Sequence, residues 1–391
     1  MFLQIPRNMR NVRDLSLELT NASPIGSHES GNFLSNGNLG AETSIEYQHK
    51  NIFGGAELLT VKGSFLIELP KLIFKSGDNG FHNNFSAFEA GLDASLDMPV
   101  FMLPFSSRLT NQRIRPHTLI SIGGSYQYRY WYERILANTS FGYTWQYTSR
   151  RASDNNVSRL QHQILPLEFT YVRILNLDDD FVSRISSISD LRMQYQYSSH
   201  FIMDARYDYT YTNQQIGVRS DFSFFRFSLE SAGNLLYALT HLIDSYSDSN
   251  NIRHVIGVPF AQYLRTSSEF SHYVYHGRAT FVGRLLLGIG IPYGNSLSMP
   301  YEKSFFGGGP TTMRAWQLRY LGPGSYAAGD NVLERVGDIQ LVLNLEERFP
   351  LFSILEGALF SDIGNVWLLN SSDEYPGGEF KWNKVMKEIA V

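Results

Sequence analysis

One glycine-rich stretch carries the residues best suited to a specific charged contact. Residues 301–326 read YEKSFFGGGPTTMRAWQLRYLGPGSY, and Arg314 follows the glycine run at 307–309. Glycines permit backbone angles that other residues avoid, and a long connection of this composition indicates an ordered loop. A guanidinium presents a planar fork of N–H donors that matches a carboxylate. Arg314 is therefore a candidate to bind carboxylates that face this loop, although spacing alone favours a solvated loop arginine.

Two carboxylates downstream of the loop are placed to receive Arg314. Leucines and polar residues alternate up to Glu346, which places this glutamate on the polar face of a strand. The same alternation places Asp362 on the polar face of the next strand, where Glu356 is a competing carboxylate. The alternative is that Arg314 is a solvated loop arginine, because exposed ion pairs contribute little to stability.

No set of side chains has the spacing of a catalytic or cofactor site. The ten histidines are scattered, no H-E-x-x-H or G-x-S-x-G pattern occurs, and no P-loop lysine follows Gly309. The chain has no cysteine, which excludes disulfides and thiolate metal sites. The net charge of -4, without a basic patch, argues against a nucleic-acid partner. We expect no enzyme, metal or cofactor; a lipase-like or protease-like barrel is the alternative.

The segments that must position these residues alternate with a period of two. In 201–212, apolar and aromatic side chains share one face, while Asp204, Arg206 and Asp208 share the other. Aromatic residues make up 14% of the chain and end many of the apolar faces, as in an aromatic girdle. There are thirteen such segments, at roughly 12–20, 38–48, 56–70, 84–98, 117–130, 133–148, 158–174, 199–212, 219–230, 257–272, 277–292, 335–349 and 353–368.

These segments predict an all-β protein, a transmembrane antiparallel β-barrel that occupies residues 1–391 as one domain. Many segments exceed the about 5–6 residues of a soluble strand and match the about 9–11 that cross a membrane at a tilt. No apolar run reaches the about 18 residues of a transmembrane helix. A short helix is predicted within 231–244, in an outer loop. A soluble β-sandwich is the alternative, although its core would favour aliphatic over aromatic residues.

Three motifs resemble those of the BamA/TamA family of outer-membrane assembly barrels, of the bacterial surface antigen type. That family carries a Val-Arg-Gly-Phe type motif in its sixth extracellular loop, where this chain has Met313, Arg314, Ala315 and Trp316. The segment 360–364 matches the F-x-D-x-G pattern of the thirteenth strand, and 344–350 resembles the glutamate-bearing twelfth strand. The amino-acid sequence of the loop looks most similar to that of the TamA-like (TamL) barrels of Bacteroidetes. The motif residues are Gly307, Gly308, Gly309, Met313, Ala315, Trp316, Gly322 and Pro323 in the loop, and Phe360 and Gly364 in the strand.

The resemblance implies a barrel of sixteen strands preceded by soluble POTRA domains. The chain begins near a first strand at Val12, and 382–391 resembles the start of a fourteenth strand. We therefore expect a fragment of about thirteen strands, incomplete at its C-terminus and without POTRA domains.

The resemblance also implies a function at the bacterial outer membrane, in protein assembly or translocation. In the family, a seam between the first and last strands opens, and a client strand pairs with the first-strand edge, here carried by Leu15, Leu17 and Leu19. The loop, held by Arg314, Glu346 and Asp362, gates the lumen. Implied partners are membrane lipid and unfolded outer-membrane proteins, with periplasmic or POTRA-associated proteins as a further option. A passive pore or transporter and a dedicated two-partner secretion pore are the alternatives.

Overall fold

The alternating segments form one sheet of thirteen strands in a computed structural model of the chain. The structure describes residues 12–22, 39–69, 87–102, 114–129, 132–151, 156–187, 198–240, 242, 245–249, 251–316, 318–326, 335–352, 355–373 and 375–391. The strands are β1 Val12–Ala22, β2 Leu39–Lys50, β3 Leu58–Leu69, β4 Ala87–Met98, β5 Ile114–Arg129, β6 Tyr132–Arg151, β7 Asn156–Leu177, β8 His200–Thr212, β9 Phe222–Ala232, β10 Tyr263–His276, β11 Ala279–Pro292, β12 Ile339–Pro350 and β13 Glu356–Trp367.

Each strand is hydrogen-bonded to its neighbours in the sequence, and every pairing is antiparallel. All thirteen predicted strands are therefore confirmed, with shifts at their ends. Among the described strands, β1 and β13 each pair with one neighbouring strand, β2 and β12. The side chains of Leu15, Leu17 and Leu19 on β1 lie outside the described residues, and only the backbone register of this edge is defined.

The two faces of the sheet differ in chemistry, as the alternation predicts. We call inner the face that carries the buried polar side chains of Gln127, Arg134, Asp204, Glu230 and Asp362. Burial of charged groups is costly unless they are paired, so this face must supply its own counter-charges. The outer face carries exposed apolar side chains along its strands, including Ile45, Leu92, Ile122, Ile164, Leu229, Phe270, Leu287 and Leu359.

A β-bulge at Pro166 changes which residues of β7 point to the inner face. Proline has no backbone N–H for a ladder and is tolerated in strands at bulges. The register of β7 shifts there against both neighbours, opposite Gly142 on one side and between Leu165 and Glu168 on the other. The extra residue turns Glu168 to the inner face, where its carboxylate lies 3.3 Å from the guanidinium of Arg206.

The connection between β9 and β10 folds into a small unit of its own. A helix, α2 (Asn234–Leu239), lies inside the stretch predicted to be helical, and the strands Ser245–Ser247, Arg253–Val255 and Val258–Pro259 form a separate sheet. Phe260 and Leu236 pack with Phe201 and Met203 on the outer side of β8. The predicted strand 257–272 therefore began too early, because its first residues belong to the small sheet. Another helix, α1 (Asp179–Ser187), lies in a stretch predicted as a loop.

The prediction of a fourteenth strand in 382–391 is wrong for most of that segment. Residues Val385–Glu388 form a helical turn, α3, and only Ala390 makes an antiparallel bridge, to Gly364. The turn is held from β13, because the indole of Trp367 donates to the Glu388 carboxylate at 2.8 Å. No helix in the described residues is both long enough and apolar enough to cross a membrane.

The outer face yields a test of its predicted lipid contact. Ile122 is 64% exposed on this face, and its neighbour Ser121 lies on the inner face. We expect Ile122→Arg to lower the free energy of unfolding in a bilayer by about 2–4 kcal/mol. Ser121→Arg should cost about 1 kcal/mol, mainly for the lost hydrogen bond to Ser140. Equal losses, measured by urea unfolding in vesicles, would contradict a lipid-facing outer surface.

Candidate functional site

The structure brings Arg314, Glu346 and Asp362 together on the inner face. The loop between β11 and β12 lies against this face and carries Arg314 to β12 and β13. The guanidinium donates to both oxygens of Asp362, from Nε at 2.9 Å and from Nη2 at 2.7 Å. Its Nη1 donates to Glu346 at 2.5 Å, and the backbone N–H of Arg314 donates to Asp362 at 2.9 Å. The hydrogen bonds to Asp362 raise the pKa of Arg314 further, so the side chain is permanently charged.

Three further groups complete this contact. The amide of Asn344 donates to Asp362 at 2.8 Å and to the carbonyl of Thr312 at 2.6 Å, so it connects the strand to the loop. The Phe360 ring lies 3.6 Å from the centre of the Arg314 guanidinium, a cation–π contact. Arg348 donates to the second oxygen of Glu346 at 2.5 Å. We call Arg314 with these strand partners the arginine contact.

The F-x-D-x-G segment needs its glycine for close packing of two strands. A Cβ at Gly364 would lie 2.4 Å from the carbonyl oxygen of Leu341 on β12. Phe360, Asp362 and Gly364 alternate onto the inner face, so the ring, the carboxylate and the gap lie in one row. The motif therefore gives β13 a binding surface for Arg314.

The other motif residues shape the loop and do not contact the two carboxylates. Met313 is buried in a cluster with Leu321 and Val342. Gly309 adopts a φ of 94° and donates to the carbonyl of Trp316 at 2.9 Å, which closes a tight turn around Arg314. Of the remaining loop residues, Gly307, Gly308, Gly322 and Pro323 are buried, and Ala315 and Trp316 are exposed.

Glu356 does not take part in the arginine contact. It lies at the far end of β13 and lines a cavity of about 600 Å³ together with Arg219, Arg278 and Arg348. The structure therefore separates the two predicted carboxylates from their competitor. Among the described residues there is no group of three or more histidine, aspartate or glutamate side chains arranged to hold a metal ion.

A second cluster, absent from the sequence prediction, holds the start of the loop. One oxygen of Glu302 accepts from Arg134 of β6 at 2.8 Å, and the other lies 3.1 Å from His200 Nε2 on β8. The second ring nitrogen of His200 faces the carbonyl of Ser198 at 2.9 Å. Both partners are acceptors, so the ring donates from both nitrogens and is charged. Gln127 accepts from Arg134 at 2.6 Å and completes the cluster.

Lys303, the next residue in the loop, contacts two carboxylates on the inner face. Its ammonium lies 2.7 Å from Glu230 on β9 and 3.8 Å from Asp204 on β8. Tyr263 donates to the same Glu230, and Arg265 donates to the backbone carbonyl of Lys303 at 2.9 Å. We call Glu302 and Lys303 with these partners the paired anchor.

Electrostatics keep both residues of the paired anchor charged. Burial alone would raise the pKa of Glu302, but the charges of His200 and Arg134 hold it at about 2. Burial would lower the pKa of Lys303, but Glu230 and Asp204 raise it to about 12. A signal for this anchor was present in the sequence, because Glu302 and Lys303 are adjacent opposite charges at the start of the loop. The partners of Glu302 are 100 or more residues away in the sequence; His200, for example, is 102 residues away. Spacing alone therefore could not pair them.

Comparison with known proteins identifies the family. The Omp85 superfamily domain matches residues 105–381. The chain belongs to the Omp85 superfamily. Membership, with the apolar outer face, indicates an outer-membrane location. No curated protein matches the chain.

Two solved structures are similar to the chain. One is BamA from Haemophilus ducreyi lacking POTRA domains 1-3, with a TM-score of 0.55, 14% identity, and coverage of 95% of this chain and 62% of that one. The other is CdiB from Acinetobacter baumannii, with a TM-score of 0.40, 10% identity, and coverage of 95% and 58%. The chain thus spans about three fifths of the length of these structures. The likeness to BamA supports the β-barrel fold; the finer resemblance to TamA-like barrels of Bacteroidetes stays a prediction.

The lowered pKa of Glu302 predicts how the loop responds to acid. A carboxylate with a lowered pKa stabilises the folded state above its ordinary pKa of 4.5 and loses that contribution as the pH falls towards about 2. We expect protease cleavage of the loop start to rise between these pH values. Glu302→Gln should remove this part of the pH dependence. Identical pH profiles for the two proteins, measured with an acid-stable protease, would exclude a role for Glu302.

Proposed function

We propose that this chain is the barrel of an outer-membrane factor that inserts or translocates proteins through a lateral seam, with the loop as its gate. The arginine contact is the observation that carries the proposal. It fixes a long loop on the inner face at β12 and β13, the last two strands of the sheet. A loop fixed there responds to any separation of these strands, because its carboxylate partners belong to both of them.

The occupied inner face argues against a passive pore. Backbone and side chains of the loop contact β6, β8, β9, β10, β11, β12 and β13. A loop that contacts so many strands from one side obstructs the lumen that they surround. We therefore expect low resting conductance, which rises when the loop is released. A porin-like role would require an open lumen at rest.

The β1 edge of the sheet supplies the client site in this proposal. β1 is the first strand of the described sheet, and the edge of a first strand is where the family resemblance places an extended client segment. Addition of a strand at such an edge uses backbone hydrogen bonds and needs no catalytic residue. The proposed partners are therefore membrane lipid and unfolded outer-membrane proteins, and the proposed activity is not enzymatic. Periplasmic partner proteins belong to the proposal only through the family.

A charge reversal in the membrane-embedded protein tests the gate. Arg314→Glu removes the guanidinium and places a third carboxylate beside two others. Each hydrogen bond to a charged group contributes about 1.5–3 kcal/mol, so release of the loop should become dominant. We expect increased protease cleavage within 301–326, higher conductance in planar bilayers, and loss of assembly of outer-membrane clients.

A second set of variants separates the contact from general damage. Asp362→Arg should restore all three properties to Arg314→Glu, with Glu346→Gln added so that the new glutamate faces no other carboxylate. Lys381→Glu is the matched control, because it reverses a charge in an exposed ion pair at 2.8 Å outside the loop. If Arg314→Glu behaves like this control, the arginine is a solvated residue and the gate is absent. Higher conductance without any loss of client assembly favours a pore.

A further inference from the structure

We infer that the loop has two unequal attachments: the paired anchor is fixed, and the arginine contact is the end that releases. This inference rests on the proposed gating function, and it specifies how the gate moves. The two attachments lie on different parts of the sheet. The paired anchor binds β6, β8 and β9, whereas the arginine contact binds β12 and β13.

The Glu302 half of the anchor is buried on all sides. The side chains of Arg134 and His200 are each 4% exposed, and that of Glu302 is 9% exposed. Removal of one partner from a buried ion pair leaves the remaining charge without compensation, which is strongly unfavourable. Withdrawal of Glu302 would remove the carboxylate that contacts both Arg134 and His200, whose other hydrogen bonds among the described residues are to the neutral groups Gln127 and the Ser198 carbonyl. This half therefore resists opening.

The Lys303 half has the same property with the opposite charge. Both oxygens of Asp204 are buried and have no hydrogen-bond partner among the described residues. The Lys303 ammonium, 3.8 Å away, is the cation that compensates this carboxylate from the loop. Glu230 would retain Tyr263 and the more distant Arg265 guanidinium at 3.9 Å. Departure of Lys303 would thus leave Asp204 buried without a compensating contact from the loop.

The arginine contact differs because its carboxylates keep other partners. The Arg314 side chain is 26% exposed, so its contact is more open to water and to ions than the paired anchor. When Arg314 leaves, Glu346 still accepts from Arg348 and Asp362 still accepts from Asn344. Release at this end therefore leaves Glu346 with a cationic partner and Asp362 with a neutral donor. The asymmetry sets an order: the tip around Arg314 moves first, while 302–303 stay on the wall.

Thiol labelling can measure the two ends separately, because the chain has no cysteine. Ser304→Cys reports on the paired anchor and Thr312→Cys reports on the arginine contact, since both residues are buried next to them. Each single-cysteine protein is labelled with a water-soluble maleimide in membranes. In Arg314→Gln we expect Thr312→Cys to react at least about tenfold faster, with Ser304→Cys unchanged. In Glu302→Gln with Lys303→Met, Ser304→Cys should become reactive.

Salt and conservative variants complete the test. Raising the ionic strength shortens the screening length from about 10 Å at 0.1 M to about 3 Å at 1 M, so salt should speed labelling at Thr312→Cys and not at Ser304→Cys. Lys303→Arg keeps the charge and should keep Ser304→Cys protected. Heat-modifiable electrophoretic mobility confirms that each variant is folded.

Two outcomes would overturn the inference. One is that Arg314→Gln exposes both cysteines equally, which means that the loop releases as a unit. The other is that loss of Glu302 and Lys303 leaves Ser304→Cys protected in folded protein, which means that these residues do not anchor it. Labelling requires no client, so the result is independent of assembly activity. If labelling follows the stated order but Arg314→Glu leaves client assembly intact, the proposed function fails and the two-attachment loop stands.

Discussion

Compensation of buried charge on the inner face is the constraint on which the rest of the structure depends. The strands place Arg134, His200, Asp204 and Glu230 where water is largely excluded, and such groups are tolerated only when they are paired. Within this part of the sheet, cations lie on β6 and β8 and carboxylates lie on β8 and β9. The dipeptide Glu302–Lys303 supplies one charge of each sign to the matching patch. The loop is therefore a structural part of the barrel interior and not an appendage.

The same constraint explains why the two faces of the sheet cannot be exchanged. The exposed isoleucine, leucine and phenylalanine side chains of the outer face cannot compensate a charge, so the charged strand residues of the anchors face inwards. The bulge at Pro166 shows this requirement locally. Without the extra residue, Glu168 would face outwards and Arg206 would lose one of its two carboxylate partners, leaving Asp208 at 3.4 Å. A one-residue slip reverses the facing of a whole strand, so the register and the charge pattern support each other.

The strands could be predicted from the sequence because they depend on a local pattern, and the arginine contact could be predicted from that pattern together with the family motifs. A period of two fixes which side of a strand Glu346 and Asp362 occupy, and β12 and β13 are adjacent in the sequence and in the sheet. The paired anchor could not be predicted in this way. Arg134 is 168 residues from Glu302, and their meeting depends on the register of every intervening strand. The turn at Val385–Glu388 was missed for another reason, since side chains of β13 bind it and override the apparent strand pattern.

Arg348 lies between the arginine contact and a cavity on the inner face. Glu346 uses one oxygen for Arg314 and the other for Arg348, both at 2.5 Å. Arg348 also lines the cavity of about 600 Å³ near the turns that join the later strands. The Glu346 carboxylate thus binds the loop residue Arg314 with one oxygen. Its other oxygen binds Arg348, which lines the cavity. When Arg314 withdraws, Glu346 keeps the cation Arg348 and Asp362 keeps the Asn344 amide, whereas Arg134 and His200 at the wall would keep only neutral hydrogen-bond partners among the described residues. The difference between a fixed end and a mobile end therefore follows from which charged groups have a second partner.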